Sequence, residues 1–394
     1  MITLTNRDLA VVTAARLALT VAFRLVYPLL PLLTTRFAID LTTAAAIVTT
    51  QLIMSISSPI FGRLADTHGE RPLMLVGLAL FTGGATLCAI APVFGVFLVG
   101  YAVIGLAMSC YLPAAQSYLS RRAPYERRAR VLGIFETVWA AAAVLGVFPL
   151  LALLDRTGEL WPIYAILATS GALSFALVAW LLPGGRGGSS AAGDAGIMAL
   201  RNRSVGALLI FVILTYSAYE LVLTPQSTWL AQVFAADAAR LGQLAAVSGV
   251  AEFVGSLAVI GFVDRVGKRR AVAISYAAAA LLMAALPLTA GNWLLFLPVF
   301  ALLYVALEFA IVATITLTST VAPQARGTMM AIKIVIASSS RALAAALASG
   351  LWLRVGYANV GLIAGVLILV ALAALPYVRD AEAQRGAAET PVVA

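Results

Sequence analysis

Charge is scarce in this chain: Asp, Glu, Lys and Arg make up 11% of it, against roughly 25% in a soluble domain. No stretch is polar enough to wrap a core in a wetted shell, so a soluble domain is excluded. Histidine occurs once, as His68, and cysteine twice, as Cys88 and Cys110. That is too few ligands for a zinc or haem centre. Both cysteines fall in apolar runs, where buried free thiols are expected rather than a disulfide or a metal pair. HExxH, GxSxG, a phosphate-binding loop and a Cys–His pairing are all missing, which argues against an enzyme and an ATP-driven pump; no cofactor is expected. A cleavable signal peptide is not evident either, because the first apolar run is long and leads straight into more of the same.

What the chain has instead is apolar length. Hydrophobic residues reach 62% and the mean hydropathy is +1.00. A bilayer core takes ~20 apolar residues per spanning helix, and twelve such segments can be marked, near 9–33, 42–65, 72–91, 94–119, 130–154, 161–182, 204–230, 239–263, 271–290, 292–320, 327–353 and 356–378. The runs are continuous rather than alternating, which excludes a β-barrel. The net charge of +9 is arranged by topology: with the N-terminus inside, 18 Lys and Arg fall in cytoplasmic segments and 4 in outer loops. That asymmetry puts both termini in the cytoplasm. It accounts for the basic balance without nucleic acid, and attraction to anionic inner-leaflet lipid is an expected by-product.

A polar hairpin occurs twice. Residues 62–71 read GRLADTHGER and residues 261–270 read GFVDRVGKRR, so that Asp66, Gly69 and Arg71 return 198 positions later as Asp264, Gly267 and Arg269. Pro28, Phe37 and Asp40 return as Pro225, Phe234 and Asp237 at an offset of 197, and Ala123, Pro124 and Arg127 as Ala322, Pro323 and Arg326 at 199. Three anchors at nearly one offset argue for duplication, and two six-helix halves share an orientation because six is even. Between them PGGRGGSSAAGDAG, residues 183–196, has the composition of a solvated linker. The expected organisation is a six-helix bundle over 1–182, a cytoplasmic linker over 183–203, a second bundle over 204–378 and a tail over 379–394. The fold class is an all-α membrane protein of twelve helices in two pseudo-symmetric bundles.

With these features the chain resembles the major facilitator superfamily, over essentially its whole length to about residue 378. GRLADTHGER is similar to that superfamily's loop between helices 2 and 3, G-x-L-A-D-x-x-G-x-R, matching at Gly62, Leu64, Ala65, Asp66, Gly69 and Arg71. The second copy is degenerate, with Gly261 three residues before Asp264 rather than four. The resemblance implies that the cluster Gly62, Asp66, Gly69, Arg71, Asp264, Gly267 and Arg269 latches the two halves together; a plain solvated turn is the simpler alternative. Gly69 suits a tight turn, and Asp66 can pair with Arg71 or cap a neighbouring helix. Two signatures of the drug-efflux branch are absent: Tyr101 stands where an arginine precedes Gly105, and LGVFPL at 145–150 departs from the Gly–Pro motif of helix 5. The chain looks closest to small bacterial permeases described loosely as sugar or drug efflux proteins.

Ionisable residues within a spanning helix cost ~2.5–3.5 kcal/mol on insertion scales, so each is a candidate for function. Glu136 and Lys333 lie near the cytoplasmic ends of helices 5 and 11 and are expected to pair with each other or with the hairpin cluster. Arg16 is expected to snorkel to the inner surface. Arg24 and Glu220 sit at similar depth on helices 1 and 7, among Tyr27, Tyr216, Tyr219 and Gln226, and are read either as a substrate site and outer gate or as a fixed ion pair. Glu252, Glu308 and Arg341 fall near mid-membrane in helices 8, 10 and 11. Glu308, with Arg341 as partner, is the expected proton-coupling group, a buried structural salt bridge being the alternative.

The resulting expectation is a secondary transporter of a bacterial-type inner membrane, working by alternating access and exporting a small amphipathic or hydrophobic compound in exchange for protons. Uptake of an organic anion at Arg24 and Arg341 is the alternative, as is an uncoupled uniporter or lipid flippase. Its expected partners are the bilayer, the substrate and protons, with the protein a monomer.

Overall fold

A computed structural model of the protein describes residues 4–184, 202–321 and 326–378. Their regular structure is helical. The helices are α1 (Asn6–Phe37), α2 (Leu41–Ala65), α3 (Glu70–Ala89), α4 (Phe94–Arg122), α5 (Arg130–Thr157), α6 (Trp161–Leu181) and α7 (Arg203–Phe234). They continue with α8 (Ala238–Val266), α9 (Lys268–Ala285) and α10 (Trp293–Val321). The final 49-residue run, Arg326–Ala374, is broken by non-helical backbone at Gly356, giving α11 (326–355) and α12 (357–374). Among the described residues, eleven helical runs are long and apolar enough to cross a bilayer, and the break at Gly356 divides the last into two, giving twelve passes there.

Local chemistry sets the boundaries. Thr5 and Asp8 form a reciprocal capping box at the start of α1, with bonds of 3.1 and 3.2 Å. Asp40 caps α2 through the Thr43 amide at 3.0 Å, and Asp237 caps α8 through the Arg240 amide at 2.8 Å. Large apolar side chains cover the outside: Trp180 is 84% exposed, Leu288 81% and Leu294 86%. Only lipid accepts such a surface at low cost, since the helices satisfy their own backbone groups. Cys88 and Cys110 are buried free thiols.

The sequence repeat is also a backbone repeat. Seven described residues have positive φ, and six of them form pairs: Ala38 and Ala235 (52° and 48°), Gly69 and Gly267 (94° and 89°), Gly158 and Gly356 (68° and 81°). The pairs are 197, 198 and 198 positions apart. They end α1 and α7, open α3 and α9, and end α5 and α11, so both halves turn their chains at matched points. Glycine takes this conformation without a Cβ penalty; the two alanines are exceptions.

The chain divides into two compact units. One comprises Met1–Ser190, Leu223–Val250 and Ala345–Gly350; the other comprises Ala191–Val222, Ala251–Ala344 and Leu351–Ala394. The division therefore passes through α7 and α8 and does not follow the linker.

Candidate transport site

In the first unit the site is built on a helix with missing backbone bonds. Pro28 and Pro31 lie inside α1 and lack amide protons, which leaves the carbonyls of Arg24 and Tyr27 without their helical donors. The Ser227 hydroxyl donates to the Tyr27 carbonyl. Arg24 donates to the Trp139 carbonyl at 3.3 Å and stacks on the Trp139 ring, 4.8 Å from its centroid. Just beyond Trp139, α5 widens into a π turn over Ala143–Val147. There Gly146 lies so close to Val21 of α1 that a Cβ would collide with the valine side chain. Tyr27 and Gln226 are buried in the same unit.

Arg16 is 3% exposed rather than snorkelled. It donates to Glu136 at 2.7 Å and to the Phe135 carbonyl, and its guanidinium lies 4.2 Å from the centre of the Phe135 ring. Glu136 also accepts from Gln116 at 3.0 Å. The expected pairing of Glu136 with Lys333 or with the hairpin is replaced by this cross-link between α1 and α5: a desolvated guanidinium takes the nearest carboxylate and carbonyl rather than reach for water.

In the second unit Glu220 of α7 is fully buried. Arg341 of α11 donates to it at 2.7 Å and lies 5.4 Å from the Tyr219 ring centre. Glu308 of α10 accepts from Ser256 of α8 at 2.8 Å. Tyr216, one turn before Glu220, lies within electrostatic reach of both Arg341 and Glu308. Glu252 is 4% exposed and stands one turn from Ser256, so both project from one side of α8 towards the same region. Gly255 allows the approach, since a Cβ there would come within 3.1 Å of Glu308 Cβ. Lys333 is 4% exposed and sits 5.6 Å from the Tyr216 ring centre. Ser256 was legible as the residue four after Glu252; nothing local in the sequence marked Trp139 or the Lys333–Tyr216 contact.

The sequence profile of the Major Facilitator Superfamily matches residues 12–224 and 208–392. The chain belongs to that superfamily. Among curated relatives, it is 32% identical over 121 residues to the uncharacterized MFS-type transporter YwfA of Bacillus subtilis (strain 168), covering 30% of this chain and 29% of the relative. It is 32% identical over 117 residues to multidrug resistance protein 3 of the same organism, covering 29% and 22%. These alignments span less than a third of either relative. The fold extends further: a D-xylose–proton symporter structure superposes with a TM-score of 0.80 at 16% identity, over 95% of this chain and 98% of that one.

The hairpin typical of the superfamily is described in part. Gly62 and Gly69 are placed, and Gly69 turns the chain as expected; the side chains of Asp66 and Asp264 lie outside the described residues. Arg71, at the start of α3, donates to the Val178 and Ala179 carbonyls at the end of α6. Arg269, at the start of α9, donates to the Pro376 carbonyl after α12 at 3.4 Å. Donor and acceptor both recur at 198 positions, as Arg71 with Val178 and Arg269 with Pro376. A cation is favoured at a helix C-terminus, where carbonyls lack donors. Each arginine thus clasps helices of its own half. Sequence reasoning passed over Glu70, which is 2% exposed and faces Arg121 at 3.0 Å and Arg122 at 3.6 Å; the two arginines closing α4 were the available signal.

Proposed function

We propose that the protein is a proton-coupled exporter of small amphipathic or hydrophobic compounds in a bacterial-type inner membrane. Both termini are cytoplasmic, the chain acts as a monomer, and bundles 1–182 and 204–378, joined by the linker 183–203, rock about a midplane site. The carrying observation is the Ser256–Glu308 hydrogen bond of 2.8 Å. A serine hydroxyl donates to a carboxylate and accepts from a carboxylic acid, so Glu308 keeps a partner in either protonation state. That is what a proton-carrying group in a membrane requires. Glu252, one turn from Ser256, passes or shares the proton; Tyr216, Tyr219, Glu220 and Arg341 of the second unit and Arg24, Tyr27 and Gln226 of the first are the proposed substrate and gate residues. Relatives named for multidrug resistance and efflux favour export. In this reading Asp66, Asp264 and the rest of the hairpin cluster serve as the latch.

The test is purified protein in liposomes with a pH-sensitive dye inside, offered amphipathic cations, neutral drugs, organic acids and sugars. Substrate-dependent proton flux is expected in the wild type and lost in Glu308→Gln. Substrate movement without proton flux, unchanged in the variant, would overturn the coupling and leave a uniporter or flippase.

A further inference from the structure

Lys333 is a buried charged group that the proposed mechanism does not use. It lies in the cytoplasmic half of α11, 96% buried, with its ammonium over the Tyr216 ring. Among the described residues, no carboxylate lies within ion-pair distance of it. The other buried cations on these helices are matched: Arg16 by Glu136, Arg341 by Glu220. The repeat shows where a partner would stand. In the first half the inner turns of α5 carry Glu136, and α1 answers with Arg16. In the second half the inner turns of α11 carry Lys333, and at the level of Arg16 α7 offers Val212 and Ile213. The counter-ion position is occupied by hydrocarbon, and the aromatic face of Tyr216 is what remains. A ring at 5.6 Å stands near the limit of a cation–π contact and compensates a desolvated ammonium far less than a carboxylate does.

We propose that Lys333 receives the negative group of an amphipathic anion, the substrate's apolar body lying against Tyr216. This deepens the export reading and rests on it for the direction of movement; the binding site itself does not. The anion supplies the charge that the fold omits and takes the place beside the ammonium that the Tyr216 ring now fills. Arg341 is already engaged by Glu220, which leaves Lys333 as the cation whose gain on meeting an anion is largest.

The probes are 1-pyrenebutyric acid and its methyl ester, which differ by one charge. Equilibrium binding to detergent-purified protein is followed by fluorescence, and flux is followed separately in liposomes. Wild type is expected to bind the acid at least tenfold more tightly than the ester. Lys333→Met should abolish that ratio while leaving ester binding within about threefold, and Lys333→Arg should keep it. Removing an unmatched buried charge should also raise the midpoint of thermal unfolding in Lys333→Met, whereas a lysine with a structural partner would lower it. Equal binding of acid and ester by wild type, or an unchanged ratio in Lys333→Met, overturns the proposal. If Lys333→Met does not fold, loss of acid selectivity in Lys333→Gln decides in the same way. Selective binding that depends on Lys333 without flux of either probe sustains the site and sinks the export reading.

Discussion

Two helix pairs occupy corresponding places in the two halves of the sequence, α1 with α5 and α7 with α11, and each is joined by an ion pair of 2.7 Å. The polarity is exchanged. In the first the cation is on α1 and the carboxylate on α5; in the second the carboxylate is on α7 and the cation on α11. The surroundings also differ, since the Glu136 side chain is 52% exposed and that of Glu220 is 0% exposed. Equal geometry therefore does not mean equal energy. If Arg16 is lost, water can solvate Glu136. If Arg341 is lost, the fully buried Glu220 carboxylate loses a cationic partner in a low-dielectric interior where water does not replace it. Duplication preserved the helix contact and left the charges free to diverge, one pair towards a tolerant cross-link and the other towards a site intolerant of change.

The sharpest way to break this comparison is at the buried pair. Arg341→Ala or Glu220→Ala should each cost about 3–5 kcal/mol, seen as a large fall in the midpoint of thermal unfolding, together with loss of transport. Glu220→Leu combined with Arg341→Leu should recover most of the stability and none of the transport, which separates packing from function. Two single variants that unfold like wild type would erase the contrast. Arg16→Met should cost about 1–2 kcal/mol, chiefly from the stranded Phe135 carbonyl, measured in the same assay. Gly158→Ala and Gly356→Ala test how far the matched turns are alike. Gly158 sits in the left-handed helical region (φ 68°, ψ 2°), where a Cβ costs about 1–2 kcal/mol. Gly356, at φ 81° and ψ 158°, occupies a region that is essentially glycine's alone, so Gly356→Ala should cost more; equal falls in the unfolding midpoint would show that the two turns carry the same strain. Smallest is Glu136→Gln, expected below about 1 kcal/mol because its half-exposed pair is weakened by solvent.

The sequence made some of this legible and some not. Long apolar runs specify spanning helices with little competition, and the polar hairpin is conspicuous because glycine and charge interrupt hydrocarbon. Gly158 and Gly356 carried the repeat in plain view, each two residues after an arginine, Arg156 or Arg354. Ala38 and Ala235 could not be read that way, since alanine rarely adopts positive φ and only the tertiary setting imposes it. The partners of the buried charges were the hardest to foresee. Depth along a helix follows from residue number, but rotation about its axis does not, so the Arg341–Glu220 contact could not be chosen from depth alone. Arg16 was misjudged for a related reason: its distance from the membrane surface was legible, while the Phe135 carbonyl and Glu136 waiting beside it on α5 were not.

The clasp formed by Arg71 has a mechanical consequence. It fixes the first turn of α3 to the last turn of α6, helices of 20 and 21 residues, each spanning ~30 Å at 1.5 Å per residue. That length matches the hydrocarbon thickness of an average bilayer. α1 and α7, at 32 residues each, have slack to tilt or protrude. Pinned at one end, α3 and α6 cannot slide past one another to suit a thicker or thinner membrane, so the lipid must stretch or compress along that edge at a fraction of a kcal/mol per ångström. The clasp makes one side of the protein a ruler for the membrane around it.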